Sequence, residues 1–162
     1  MFSRYFVVFF SLVLTCPVMA AQLPPSEMET LAEGTLHVPQ DLTGKPTLVI
    51  LAFAHEQREE SGRVSGLLQE ANKQNPQLDW YEFPIIDAPL VAHMFIKNGM
   101  RSHTDEALHA HIVPQFVDEE EWRKASGITA TEPVLVKVNS QGDILKMAPS
   151  STIKSVTDVS KF

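Results

Sequence analysis

A continuous apolar run over residues 47–54 constrains the fold of this chain more than any other feature. Its β-branched composition and lack of alternation are typical of a strand that is covered on both faces. Residues 56–74 then turn polar with a helical stripe of apolar side chains, and residues 78–86 form a second apolar stretch. The order strand, helix, strand predicts a right-handed parallel crossover unit. The helical stripe consists of Val64, Leu67, Leu68 and Ala71.

Two more helices are expected after this unit. The pattern over residues 89–98 predicts the first, and Gly99 ends it. Asp118 is expected to cap the second, which covers residues 119–126 and ends at Gly127. The side chains expected to face inward from the first of these helices are Val91, Ala92, Phe95 and Ile96.

The remaining predicted elements are strands and a closing helix. Residues 112–117 predict an edge strand, because Pro114 cannot donate a hydrogen bond to a neighbour. Residues 133–138 and 143–147 predict a hairpin, with Gly142 in the left-handed position of its turn. A further edge strand is expected at Leu36-His37-Val38, and a last helix around Ile153, Val156 and Val159.

The first twenty residues have the pattern of a secretory signal peptide. Arg4 supplies a positive charge, residues 5–15 are almost entirely apolar, and small residues precede a cleavage position after Ala20. The apolar run is shorter than the roughly 20 residues that a spanning helix needs. Two alternatives stay open, an uncleaved membrane anchor and lipidation of Cys16, which Thr15 fits badly. We expect export to the periplasm or another extracytoplasmic compartment.

The composition limits the chemistry and the partners that are expected of the chain. Cys16 is the only cysteine, so a chain cleaved after residue 20 has neither a disulfide nor a thiol nucleophile. We expect a lead-in segment over residues 21–35 and a single domain over residues 36–162, with no spanning helix. The net charge of −7 argues against nucleic acid or an anionic membrane surface as the partner.

The order of the elements resembles that of the thioredoxin-like superfamily. The buried strand leads into a helix start at His55-Glu56-Gln57-Arg58, where thioredoxins keep two cysteines. Glu132-Pro133 precedes the hairpin, where that fold keeps a cis-proline opposite the active site. The resemblance implies an α/β fold of three layers, with a mixed central sheet flanked by helices. It also implies a cis peptide bond between Glu132 and Pro133.

Three segments are similar to bacterial relatives of the mitochondrial ATP-synthase assembly factor family, whose members act as chaperones for a membrane subunit. The segments are Gly99-Met100-Arg101, residues 118–128 and residues 133–145. The chain departs from thioredoxins because His55-Glu56-Gln57-Arg58 replaces Cys-x-x-Cys. Disulfide exchange requires an attacking thiolate. The resemblance therefore implies a non-redox scaffold that is retained for binding.

The helix start at residues 55–60 is the first candidate site. Free N–H groups at a helix start favour an anion, but three glutamates already stand there. Together with His55 they offer ligands for a divalent metal, whereas the simpler interpretation is a solvated helix start satisfied by its own acids. The binding residues suggested here and across the expected groove are His55, Glu56, Gln57, Arg58, Glu132 and Pro133.

A histidine-rich loop over residues 103–111 is the second candidate. On a strand, His109 and His111 would face the same side, and His103 could approach from the loop. Imidazole and carboxylate ligands suit zinc or copper. Surface histidines in a polar loop are the simpler interpretation, since no tightly spaced ligand set accompanies them.

Arg101 is the third candidate, either as a solvent-exposed charge or as an anchor for a ligand or partner. No nucleophile elbow, phosphate-binding glycine loop or acid and base pair indicates an enzyme, and no cofactor is expected. The leading hypothesis is an exported protein that binds an envelope or membrane protein as an assembly or chaperone-like factor. The alternative is a copper- or zinc-binding protein that uses His103, His109 and His111.

Overall fold

The computed structural model describes residues 21–42 and 47–162. The expected signal peptide, including Cys16, lies outside the described residues, and so do residues 43–46. The strands are β1 Ser26–Glu29, β2 Thr35–Val38, β3 Thr47–Ala52, β4 Asp79–Ile86, β5 Gln115–Phe116, β6 Val134–Val138 and β7 Ile144–Pro149. The α-helices are α1 Arg58–Gln74, α2 Leu90–Ser102, α3 Glu119–Ser126 and α4 Val156–Ser160. Short 3₁₀ turns cover His55–Gln57, Glu106–Leu108 and Ser150–Thr152.

The central sheet is mixed and has the strand order β5-β4-β3-β6-β7. Strands β3 and β4 are parallel and are joined through α1, which confirms the predicted crossover unit. Strand β5 adds to β4 in parallel as the predicted edge strand, while β6 and β7 form the predicted antiparallel hairpin. Gly142 closes that hairpin at φ 84°, the left-handed conformation expected of it.

Successive residues of β3 contribute to two separate cores, because side chains alternate across a strand. Leu48 and Ile50 pack on one face of the sheet with the apolar stripe of α1 and with α4. Val49 and Leu51 pack on the other face, with Trp122 of α3 and side chains from the β1–β2 hairpin. All six residues of β3 are buried, which is the two-sided burial that its sequence predicted. The predicted α/β class is confirmed.

Helix α3 forms with the predicted bounds because both of its ends carry local signals. The Asp118 carboxylate accepts a hydrogen bond from the Glu121 N–H at 2.9 Å, as an N-cap does. Gly127 ends the helix at φ 68°, a conformation that costs glycine little.

The segment before β3 has more regular structure than the sequence indicated. The expected lead-in contains β1, which pairs with β2 as a separate two-stranded antiparallel sheet. The strand predicted at residues 36–38 therefore lies in this hairpin and outside the central sheet. Leu23 and Leu31 are each 1% exposed and lie in the protein core. The Val38–Pro39 peptide bond is cis.

Helix α2 corrects two sequence predictions, its end and its orientation. It continues through Gly99 to Ser102 instead of ending at Gly99. Val91 and Phe95, expected to face inward, are 91% and 82% exposed, and no residue of α2 is fully buried. The helix is instead attached to the β1–β2 hairpin through its basic side chains. Lys97 pairs with Glu29, and Arg101 pairs with Glu33 at 3.0 Å. These contacts turn the apolar face of the helix away from the protein.

Candidate functional site

A large cleft lies at the C-terminal ends of β3 and β4, beside the start of α1. Its volume is about 1190 Å³. Helix α2 and the loop after it form the opposite wall. This edge of a parallel strand pair is where α/β sheets commonly bind ligands. Most of the lining is apolar and comes from Phe53, Pro84, Ile85, Ile86, Phe95, Ile96, Met100, Leu108 and Ile112.

A buried carboxyl group, Glu82 of β4, also lines this cleft. The residue is 7% exposed, and its Oε2 accepts a hydrogen bond from the Ser65 hydroxyl at 2.5 Å. Burial raises the pKa of Glu82, while hydrogen bonds from Ser65 and Ser61 and the charge of Arg58 act in the opposite direction. The cleft therefore contains a buried carboxyl group with a raised pKa, which the sequence analysis did not single out.

Three further acids line the cleft and have no partner among the described residues. Glu56 and Glu59 belong to the 3₁₀ turn and first turn of α1, and Asp87 follows β4. All three are exposed, and none forms an ion pair or a side-chain hydrogen bond within residues 21–42 and 47–162. Two other lining acids have partners: Glu119 is paired with Arg123 at 2.8 Å, and Asp105 accepts a hydrogen bond from the Ala107 N–H at 2.9 Å. The rim of the cleft is thus negatively charged.

The turn at the start of α1, residues 55–58, serves two purposes. Gln57 is buried, and its Oε1 accepts a hydrogen bond from the Phe53 N–H at 2.7 Å while its Nε2 donates to the Thr131 carbonyl at 2.9 Å. His55 and Glu56 are exposed on the cleft instead. The turn therefore combines a structural residue with two accessible side chains.

Arg58 connects the two walls of the cleft. Its guanidinium donates a hydrogen bond to the His103 carbonyl at 3.1 Å, which links the start of α1 to the residue after α2. The side chain lines the cleft as well. Part of its donor capacity is therefore already used within the protein.

Glu132 and Pro133, which were expected across the groove, do not line this cleft. The Glu132 carboxylate accepts hydrogen bonds from the Ser151 N–H at 2.9 Å and the Ser150 hydroxyl at 3.2 Å. The bond from the Ser151 backbone, with the other hydrogen bonds, lowers the pKa of Glu132. The bond between Glu132 and Pro133 is not cis, which corrects the expectation drawn from the resemblance. The trans form is the lower-energy one for an X–Pro bond.

Arg101, the third sequence candidate, has structural partners. Its Nε donates to the Leu31 carbonyl at 2.6 Å, in addition to the pair with Glu33. The side chain is 25% exposed, whereas Glu33 is 74% exposed. Arg101 therefore fixes α2 to the β1–β2 hairpin.

The three histidines of the alternative metal site point to different main-chain partners. His103 Nδ1 lies 2.8 Å from the Gly99 carbonyl, and His109 Nε2 lies 3.1 Å from the Thr104 carbonyl. His111 lies 2.9 Å from the Trp80 carbonyl and stacks on the Trp80 ring at 4.3 Å. His109 and His111 lie in a turn, not on a strand. The described residues contain no group of three potential ligands arranged for a metal ion.

The exposed face of α2 adjoins the cleft. It presents four large apolar side chains at positions i, i+1, i+4 and i+5, which lie on one side of a helix. Phe95 belongs both to this face and to the cleft lining. We call these residues the α2 face, and they are Leu90 at 80%, Val91 at 91%, Met94 at 76% and Phe95 at 82% exposure.

Sequence reasoning found His55, Glu56 and Arg58 but missed Glu82 and the α2 face. A signal for Glu82 was present, since it shares its side of the strand with Trp80, an inward-facing residue two positions earlier. The sequence showed that the apolar residues of α2 share a side. It held no local signal for which side faces the protein.

Comparison with known proteins identifies the fold through solved structures. No family model matches the chain, and no curated protein matches it. Solved structures do match at low sequence identity. The thioredoxin domain of a thiol-disulfide oxidoreductase from Bacteroides vulgatus is 14% identical with a TM-score of 0.59, covering 91% of this chain and 99% of that one.

Two other solved structures extend the comparison. An exposed lipoprotein thioredoxin from Streptococcus pneumoniae is 11% identical with a TM-score of 0.57, covering 86% of this chain and 100% of that one. Arabidopsis thaliana ScoI, determined with copper bound, is 10% identical with a TM-score of 0.54, covering 88% and 100%. The fold is thioredoxin-like. Within the described ranges, none of the helices combines the length and apolar character that crossing a bilayer requires.

Proposed function

We propose that this chain is an exported, non-redox thioredoxin-like protein that binds another protein of the cell envelope, as an assembly or chaperone-like factor. The observation that carries the proposal is the α2 face. Four large apolar side chains stand together on one helix and are 76% to 91% exposed. Contiguous apolar surface of this kind marks a site of interaction.

The cleft supports the same assignment. Phe95 joins the α2 face to a cavity of about 1190 Å³, so a partner segment that covers the helix can also enter the cleft. Hot spots in protein interfaces are buried anchors set in pockets of this kind. The attachment of α2 through Lys97 and Arg101 holds the face in position without using its apolar side chains.

The chemistry available at the cleft supports binding over redox catalysis. The position of the thioredoxin cysteines carries His55 and Arg58, and the chain has no cysteine after Cys16. Without a thiolate the residues here have no group for disulfide exchange. Export is part of the proposal and depends on the pattern of the first twenty residues.

Site-specific photo-crosslinking tests the proposal. The full chain carries p-benzoylphenylalanine in place of Phe95 and is expressed in cells that make the native partner. We expect one defined envelope protein to be crosslinked at this position. The same replacement at Leu145, which is 56% exposed on the far edge strand β7, is the matched control and is expected to give no such product.

The outcomes separate the proposal from the metal-binding alternative. Equal crosslinking from both positions, or none from position 95, contradicts a binding role for α2. Stoichiometric zinc or copper in protein purified without a histidine tag, lost when His109 and His111 are changed to Ala, favours the alternative instead.

A further inference from the structure

We propose that the segment recognised by this protein is apolar and carries basic side chains, which enter the cleft beside α2. The inference rests on the proposed function and names the class of partner segment. Lysine or arginine would meet the acids at the rim, while neighbouring apolar side chains of the partner cover the α2 face.

The apolar surface of α2 is continuous with the apolar lining of the cleft. Met94 and Phe95 are exposed on α2, and Phe95, Ile96 and Met100 continue into the cleft. A partner with a single apolar stripe can cover both regions without leaving a gap. Methionine side chains at such positions adapt their shape to an apolar ligand.

Three acids of the cleft lack a partner in the described part of the chain and favour basic side chains in the bound segment. Glu56, Glu59 and Asp87 line the cleft and are unpaired within the described residues. The start of α1 favours Glu56 and Glu59 through its dipole. That reason does not apply to Asp87, which follows β4. Acids from two separate elements therefore converge on one cleft.

The cations near the cleft do not balance these acids. Arg58 lines the cleft and keeps its charge while it donates to the His103 carbonyl, so it offsets a single acid, and Lys97 and Arg101 are paired with glutamates of the β1–β2 hairpin. The net charge of −7 has the same sign as the local charge. An acidic partner would be repelled and a neutral one would leave the acids unpaired, whereas a basic partner complements them.

Three labelled peptides test this inference. They share one pattern of leucines and differ at two polar positions, which carry Lys, Gln or Glu. Fluorescence anisotropy measures their binding to the exported chain at low and at physiological salt. We expect the Lys peptide to bind about tenfold more tightly than the Gln peptide at low salt, as a few partly exposed ion pairs would give. The difference should shrink as salt screens these charges.

Charge-matched variants locate the effect. In the triple variant Glu56→Gln, Glu59→Gln, Asp87→Asn, the affinities of the Lys and Gln peptides at low salt are expected to lie within about twofold of each other. The control variant Glu70→Gln, Glu120→Gln, Glu121→Gln removes the same charge from exposed positions outside the cleft. This control variant is expected to keep most of the difference in affinity between the Lys and Gln peptides.

Several results would overturn the inference. These are equal binding of the Lys and Gln peptides, tighter binding of the Glu peptide, equal effects of the two triple variants, and no binding of the Lys peptide. If any of these occurs while position 95 still crosslinks to one defined protein, the inference fails and the proposed function stands. Loss of the crosslink itself contradicts the proposed function.

Discussion

The side-chain carbonyl of Gln57 accepts a hydrogen bond from the main-chain N–H of Phe53 at 2.7 Å, in a buried position. The same side chain donates to the Thr131 carbonyl, 74 residues away in sequence. Gln57 therefore joins the end of β3 to the segment before β6. In the turn at residues 55–58 this residue is structural, while His55 and Glu56 are exposed on the cleft.

Replacing Gln57 should destabilise the protein. Gln57→Met keeps the length of the side chain but removes both of its polar groups, so the buried Phe53 N–H loses its partner. A loss of about 1–3 kcal/mol in the free energy of unfolding is expected. Urea denaturation monitored by tryptophan fluorescence measures it, and a change below about 0.5 kcal/mol would contradict the structural role.

Gln57→Glu provides a control whose destabilising effect depends on pH. A glutamate keeps the acceptor for the Phe53 N–H, but an ionised carboxylate cannot donate to the Thr131 carbonyl. A protonated glutamate can donate. The destabilisation of this variant should therefore be smaller at pH 4 than at pH 7.

The pKa of Glu82 predicts a pH dependence of stability. Burial raises the pKa of this carboxyl in the folded state above its usual value of 4.5. The folded protein thus holds a proton that the unfolded chain has released, and Glu82 lowers stability as pH rises from about 4.5 through the folded pKa. Glu82→Gln removes this dependence. The stability of Glu82→Gln relative to the wild type should therefore increase with pH, by up to about 1.4 kcal/mol per pH unit between pH 4.5 and the folded pKa of Glu82.

Chemical denaturation at pH 4.5, 6 and 7.5 measures this difference. Glu70→Gln is the matched control, because Glu70 is exposed and should show no comparable trend. A difference between Glu82→Gln and the wild type that stays flat, or falls as pH rises, would be inconsistent with a buried Glu82.

His111 and His103 should differ in their contribution to stability. His111 stacks on Trp80 at 4.3 Å and hydrogen-bonds its carbonyl, so His111→Ala should cost about 1–2 kcal/mol. His103 is exposed, and His103→Ala should change stability by less than about 0.5 kcal/mol. Thermal unfolding measures both. A rise in Tm of the wild type on adding zinc, lost in both variants, would contradict these roles and favour a metal site.

Local signals predicted the parts of the fold that depend on nearby residues. The bounds of α3 follow from Asp118 and Gly127, and the hairpin turn follows from Gly142. The parallel unit of β3, α1 and β4 was predicted from a continuous apolar run, a helical apolar stripe and a second apolar stretch in that order. The helix ends and the turn depend on contacts within a few residues, whereas the pairing of β3 with β4 joins residues 32 apart and was predicted from the order of the elements.

Contacts between distant residues explain what the sequence did not predict. The orientation of α2 depends on Lys97 reaching Glu29, 68 residues earlier, and on Arg101 reaching the Leu31 carbonyl. The role of Gln57 depends on Thr131 in the same way. Of the candidate site, His55, Glu56 and Arg58 were found from the helix start, whereas the α2 face required the three-dimensional arrangement.

The amount of partner protein that is recovered with α2-face variants tests most directly the central claim, that α2 binds the partner. Val91→Ser with Met94→Ser removes two exposed apolar side chains, so stability should change by no more than about 0.5 kcal/mol per site. The control, Leu145→Ser with Met147→Ser, removes two exposed apolar side chains from β7. We expect the first variant to recover at least tenfold less of the protein crosslinked at position 95, and the control to recover as much as the wild type. Equal recovery by both variants would contradict the claim that α2 binds the partner.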